Sequence, residues 1–158
     1  MRYSMNISAP AAAHSIPAAA GWMTGLGIIP FAGLAAGHLA MPAKVGEPAV
    51  FAVLAYGAVI LSFLGGIRWG LAIAPGHHLN TGALWYPLAL SVVPALTAWL
   101  ALLAPAAASP IILAAAFLLM LASDWRAAQT GVAPPWFMRL RWPPTAAAVL
   151  SLLAVGLL

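Results

Sequence analysis

The chain has 158 residues, of which 65% are hydrophobic and 5% charged, and its mean hydropathy is +1.03. Soluble domains carry about 25% charged residues, so this composition excludes a soluble globular domain and indicates a protein whose solvent is lipid. The net charge of +4 comes from six lysines and arginines without a basic run, which argues against a nucleic-acid partner, and the absence of cysteine excludes disulfides and thiolate sites.

Five apolar stretches predict five transmembrane helices, and therefore an all-α, polytopic membrane protein folded as a five-helix bundle. Residues 1–16 are predicted to form a disordered N-terminal tail, and residues 17–158 a single transmembrane domain. The first apolar run is too long for the core of a signal peptide, so we expect it to be a retained anchor. The predicted helices span about 18–40, 49–74, 83–104, 111–127 and 143–158.

Glycines four residues apart mark the first two helices. Gly33 and Gly37 lie in one such row, and Gly66 and Gly70 lie in another that begins at Ser62. Small residues at this spacing let helix backbones approach closely inside a membrane. We therefore expect both rows to be helix-packing faces.

The fourth helix is predicted to end in the polar group Ser123, Asp124 and Arg126. The longest connection follows, from Ala128 to Pro143. The proline pair at 143–144 is predicted to open the fifth helix, since proline is tolerated in the first turn.

The basic residues predict the orientation of the protein. Five helices put the termini on opposite sides of the membrane, and arginines predominate on the side of the N-terminus. Because positive charges concentrate on the cytoplasmic side, we expect a bacterial inner-membrane protein with a cytoplasmic N-terminus and a periplasmic C-terminus. The N-terminal side holds Arg2, Arg68, Arg126, Arg139 and Arg141, whereas the other side holds Lys44.

A polar cluster is predicted near the cytoplasmic ends of the second and fourth helices. Arg68 and Asp124 lie at comparable depth, and a charge inside a membrane is costly unless it is paired, hydrated or able to reach the headgroups. We expect Arg68 to pair with Asp124, with Ser62 and Ser123 beside them. The alternative is that Arg68 reaches out to lipid phosphate.

The connection before the fifth helix combines arginines with tryptophans. Trp136, Arg139, Arg141 and Trp142 form a candidate interfacial segment that contacts anionic lipid headgroups. An ordinary positive loop with membrane-belt aromatics is the alternative interpretation.

Catalytic and metal-binding chemistry has little support. His77 and His78 lie in a polar loop without a third metal ligand at suitable spacing, and no serine has a histidine or lysine partner at membrane depth. We therefore predict no catalytic residues, no metal and no cofactor, and a protein that is not an enzyme.

Four segments together resemble a known family. They are ILSFLGGIRWG (60–70), SVVPALTAWLALL (91–103), the helical Asp124, and PPWFMRLR (134–141) followed by Thr145. These residues are similar to the small bacterial and mitochondrial membrane proteins related to transmembrane protein 69, a group classified as a domain of unknown function. The resemblance implies a five-helix membrane protein and supplies no reaction or substrate.

Two functions remain open from the sequence. The first is a non-enzymatic integral membrane protein whose basic, aromatic-rich inner face contacts lipids, a partner membrane protein or a second copy of the chain. The alternative is a small transporter or channel subunit that uses Arg68 and Asp124 to handle an anion or a proton.

Overall fold

The computed structural model describes residues 15–41, 43–74 and 81–157, except for the side chains of residues 43–45, 47, 81 and 82. The predicted tail up to residue 14 and the pair His77 and His78 lie outside the described residues. The described residues form α1 (Ala18–Ala40), α2 (Ala43–Ile73), α3 (Trp85–Leu103), α4 (Ser109–Gln129) and α5 (Phe137–Leu157), with a short 3₁₀-helix, Thr81–Leu84, directly before α3.

Each of the five helices contains a segment long and apolar enough to cross a membrane. A helix of 20 residues is about 30 Å long, which matches the hydrocarbon core of a bilayer. Large apolar side chains such as Trp22, Phe63 and Leu119 point outward and are mostly exposed, as expected of surfaces that face lipid. The prediction of an all-α bundle of five transmembrane helices is confirmed.

Two helices begin about six residues earlier than the sequence predicts. The second helix begins at Ala43, so Pro48 lies within it. The fifth begins at Phe137, so Pro143 and Pro144 lie within the helix and do not open it. Since proline has no backbone N–H, α5 gives up two of its internal hydrogen bonds at these positions.

The early start of α5 has a local cause in the preceding prolines. After the pair at 134–135, the N–H of Phe137 donates to the carbonyl of Pro134 at 3.0 Å, which forms a tight turn. The Phe137 side chain is buried with Ala127 and Ala133 in a small cluster beside the main core. This contact fixes the first turn of α5 against the end of α4.

The helices form a closed ring in which each packs against the next and α5 packs against α1. The helix α2 also contacts α4 and α5, so it is central. The main core draws residues from all five helices. Its aromatic centre is Phe31, whose ring lies edge-on to Tyr56 at 4.9 Å and to Phe117 at 6.0 Å between centroids.

Among the described residues, the four glycines predicted to pack helices make no close contact with another helix. A Cβ atom built on Gly33, Gly37, Gly66 or Gly70 would meet no atom within 4 Å among the described residues. The close approach occurs at Gly65, where a Cβ would collide with the backbone carbonyl of Ser91 in α3. Adjacent helical residues differ by 100° in direction, so Gly65 faces α3 while Gly66 faces outward.

Candidate functional site at the charged end of the bundle

An ion pair joins α4 and α5 inside the bundle. The guanidinium Nε of Arg141 donates to Asp124 Oδ2 at 2.8 Å. Both residues are buried, with 1% of Asp124 and 7% of Arg141 exposed. A buried carboxylate is tolerated when a charged hydrogen-bond donor is held against it, and Arg141 fills that role here.

The expected partner of Asp124 is therefore corrected from Arg68 to Arg141. The sequence placed Arg141 in a loop, whereas α5 begins at Phe137 and carries Arg141 along the flank of α4. The positive charge of Arg68 still acts on Asp124 through space. The Nη1 atom of Arg68 is buried without a hydrogen-bond partner.

The three charged groups lie at one level of the bundle. Arg68 and Asp124 each lie five residues before the last residue of α2 and α4, and Arg141 lies four residues after the first residue of α5. At 1.5 Å per residue they are about 6–8 Å from the same end. We call this end, formed by the last turns of α2 and α4 and the first turns of α3 and α5, the charged end.

A pocket of about 200 Å³ lies at the charged end between α2, α3 and α4. Two arginines line it: Arg68, which is partly buried, and Arg126, which is exposed. No acidic side chain lines it among the described residues. We call it the basic pocket, and its remaining lining is Leu71, Ala72, Pro87, Ala127, Thr130 and Val132.

The two predicted serines lie apart from the charges. The hydroxyl of Ser62 is exposed and donates to the carbonyl of Ala58 in its own helix at 2.8 Å. Ser123 lines a separate groove between α3 and α4 that also contains Thr97. The structure thus keeps Arg68 and Asp124 of the predicted cluster at one level and does not bring the serines to them.

The predicted interfacial segment is divided by the fold. Arg139 and Trp142 are exposed, Trp136 is half-buried with its ring edge-on to Phe137 at 6.3 Å, and Arg141 is buried. Arg141 is therefore not a headgroup contact, because its side chain is committed to Asp124.

Sequence reasoning missed Arg126, Thr130 and Thr145 as members of the site. Thr145 follows Arg141 by four residues. Because α5 begins before Arg141, this spacing puts both side chains on one face of the helix. The Thr130 hydroxyl donates to the carbonyls of Arg126 and Ala127 at 3.0 and 3.2 Å and caps α4. Thr130 thereby fixes the end of α4 that lines the basic pocket.

The part of the chain that the structure describes has no prepared metal site. Groups of three or more histidine, cysteine, aspartate or glutamate side chains able to hold a metal ion do not occur there. The available chemistry is that of buried arginine donors beside one carboxylate.

Comparison with known proteins identifies a family and a similar curated protein. A family model with the description "Protein of unknown function (DUF3429)" matches residues 16–157. Transmembrane protein 69 of Xenopus tropicalis is 45% identical over 105 residues, which cover 65% of this chain and 40% of the relative. The chain thus spans less than half the length of that relative. No solved structure matches the chain.

Proposed function

Since the chain belongs to the DUF3429 family, whose description assigns no activity, we propose a function from the chemistry of the charged end. The protein is a multi-pass integral membrane protein. In our proposal it binds the headgroup of an anionic phospholipid in the basic pocket, acts through that contact, and is not an enzyme.

The observation that carries the proposal is the unpaired Nη1 atom of Arg68. A guanidinium can only donate hydrogen bonds, and leaving a buried donor without an acceptor is costly. Asp124 does not supply the acceptor, because its ion pair is with Arg141. The described residues therefore leave this donor without an acceptor, and in our proposal a ligand in the basic pocket, which Arg68 lines, supplies it.

A phosphodiester fits this requirement in charge, shape and place. Arginine binds phosphate oxygens through two parallel N–H groups, and basic pockets between transmembrane helices on the cytoplasmic side suit anionic headgroups. A volume of about 200 Å³ accommodates a headgroup phosphate, while the acyl chains remain in the bilayer.

The setting that we propose is a bacterial inner membrane with the charged end toward the cytoplasm. The arginines of the charged end then meet the leaflet surface where anionic lipids attract basic residues.

Lipid binding is tested with the purified protein in detergent, by native mass spectrometry with phosphatidylglycerol and phosphatidylcholine. Arg68→Gln and Arg126→Gln are expected to weaken phosphatidylglycerol binding by about tenfold each, the effect of losing one charge-assisted hydrogen bond. Arg68→Lys keeps the charge but loses the paired donors, so we expect an intermediate loss.

Arg139→Gln is the matched control, because it removes the same charge from the same end without touching the basic pocket. Binding by this variant should stay within about twofold of the original protein, as for exposed charges. An equal loss in Arg139→Gln and Arg68→Gln would contradict a pocket, and equal retention of both lipids would contradict anionic selectivity.

A small transporter or channel is the second candidate, because Arg68, Asp124 and Arg141 lie inside the bundle. Every charged side chain that the structure describes lies at the charged end. A transport path requires polar groups through the full thickness of the membrane, so the geometry supports this candidate less than lipid binding. Flux of an anion or a proton in reconstituted vesicles that is lost in Arg68→Gln would favour it.

A further inference from the structure

The basic pocket carries two positive charges that no carboxylate within it offsets. Arg68 of α2 and Arg126 of α4 both line it, and no acidic side chain does so among the described residues. Asp124 lies at the same level of the bundle, but Arg141 holds its carboxylate at 2.8 Å. The charge of Arg68 acts on Asp124 less than that of Arg141 does. The two arginines therefore give the lining of the basic pocket a formal charge of +2.

The geometry of α4 turns Asp124 away from the basic pocket. Three residues of this helix line the pocket: Arg126, Ala127 and Thr130. Since successive residues of an α-helix differ by 100° in direction, these three point about 60–160° away from Asp124. The carboxylate of Asp124 instead meets α5, where Arg141 donates to it. A ligand in the basic pocket therefore faces the arginines without facing the acid.

The other side chains of the basic pocket offer few hydrogen bonds to a ligand. The Thr130 hydroxyl already donates to the carbonyls of Arg126 and Ala127 at 3.0 and 3.2 Å. The side-chain donors that remain belong to two guanidinium groups, which donate and do not accept. A matching ligand therefore presents several acceptor oxygens and negative charge. The apolar part of the lining consists of Leu71, Ala72, Pro87, Ala127 and Val132.

We propose, on the basis of the headgroup binding proposed above, that the preferred ligand of the basic pocket is a phosphate monoester carried by a lipid, as in phosphatidic acid. A monoester has a charge of about −1.5 to −2 at pH 7 and three acceptor oxygens. A diester has a single charge and two such oxygens. The diester balances one of the two arginines, whereas the monoester balances both and lets each guanidinium bind a pair of oxygens.

The pH dependence of this preference follows from the ligand. A phosphate monoester loses its second proton at about pH 6, whereas both arginines remain charged throughout the physiological range. No histidine or carboxylic acid lines the basic pocket from α2, α3, α4 or the connection after α4 among the described residues. We therefore expect the preference for the monoester to be large at pH 8 and small at pH 5.

Native mass spectrometry of the purified protein tests this preference by competition. Phosphatidic acid and phosphatidylglycerol with the same acyl chains are offered in equal amounts. At pH 8 we expect phosphatidic acid to bind about tenfold more tightly, the effect of one further charge-assisted contact. At pH 5, where the monoester is mostly singly charged, the ratio should fall to about threefold or less.

Three variants make the competition specific to the basic pocket. Arg126→Gln removes one of its two charges and should lower the ratio at pH 8 to about twofold or less. Arg139→Gln removes a charge at the same end outside the pocket and should keep the original ratio. His77 and His78 lie outside the described residues and titrate in this pH range, so the double variant His77→Gln with His78→Gln is the control for the pH dependence. Loss of the pH dependence in that variant would overturn its assignment to the ligand.

A comparison of three lipids separates this inference from the proposed function. Equal binding of phosphatidic acid and phosphatidylglycerol at pH 8, with phosphatidylcholine bound more weakly, would overturn the preference for a monoester and leave anionic headgroup binding in place. Equal binding of all three lipids would overturn both.

A water-soluble competitor distinguishes the two sources of a phosphate monoester. Glycerol 3-phosphate carries the same phosphate without acyl chains, so a large excess is expected to leave most of the phosphatidic acid bound. Displacement of the lipid by this competitor would overturn the assignment to a membrane lipid.

Discussion

At the scale of single residues, the ion pair between Asp124 and Arg141 is under-satisfied. One N–H···O bond of 2.8 Å joins the two side chains, while Asp124 Oδ1 and Arg141 Nη2 remain without partners. A buried pair repays its desolvation only when the remaining polar atoms are also satisfied. The pair is therefore expected to contribute less to stability than a fully satisfied buried ion pair would.

Removing one member of the pair should cost more than removing both. We expect Asp124→Ala or Arg141→Ala to lower the free energy of unfolding by about 3–5 kcal/mol, because each leaves an unbalanced charge in the interior. The double variant Asp124→Leu with Arg141→Met should unfold within about 1 kcal/mol of the original protein. Equilibrium unfolding in mixed detergent micelles measures all three, and additive losses would contradict a coupled pair.

Sequence reasoning reached part of this site. The equal depth of Arg68 and Asp124 follows from their distance to the helix ends, and the structure has both at the charged end. The sequence does not reveal the partner of Asp124, because its pattern predicts that Pro143 and Pro144 begin α5. Proline within a helix and proline at its first turn leave the same sequence signal, so Arg141 was assigned to a loop.

At the scale of helices, the contact between α2 and α3 depends on one glycine. Gly65 is buried and would place a Cβ against the Ser91 carbonyl, whereas Gly66 is exposed with open space beside it. Four-residue spacing identified a row of small residues but not the face that meets a neighbour. Which of two adjacent glycines packs inward is decided by the whole bundle, and a single sequence does not contain that information.

This pair of adjacent glycines provides a matched test. Gly65→Ala should lower the free energy of unfolding by about 1–3 kcal/mol, because the colliding atom belongs to backbone and cannot move aside. Gly66→Ala should be neutral or slightly stabilising, since alanine is the better helix former. Unfolding midpoints in detergent measure both. A loss in Gly66→Ala as large as that in Gly65→Ala would mean that the outward glycine face is also packed.

At the scale of the whole molecule, the burial of two arginines changes the charge count from which the orientation was predicted. Arg141 is paired inside the bundle and Arg68 is partly buried, so neither is a free loop charge. The N-terminal side then retains Arg2, Arg126 and Arg139 against Lys44 on the other side. The bias keeps its sign with three charges against one, and it becomes weaker than the sequence suggested because two of the five arginines are withdrawn from the membrane surface.

Orientation is directly measurable because the chain has no cysteine, so each introduced thiol is a unique label. Gln129 is exposed at the last turn of α4, and Ala107 is exposed in the turn between α3 and α4. A helix of 21 residues separates these positions by about the thickness of a membrane. In right-side-out vesicles, a membrane-impermeant maleimide should label Ala107→Cys, whereas Gln129→Cys should react only after permeabilisation. The reverse pattern would put the basic pocket at the periplasmic surface, away from the anionic lipids of the cytoplasmic leaflet on which the proposed headgroup binding depends. Labelling of both positions in sealed vesicles would contradict a membrane-spanning α4.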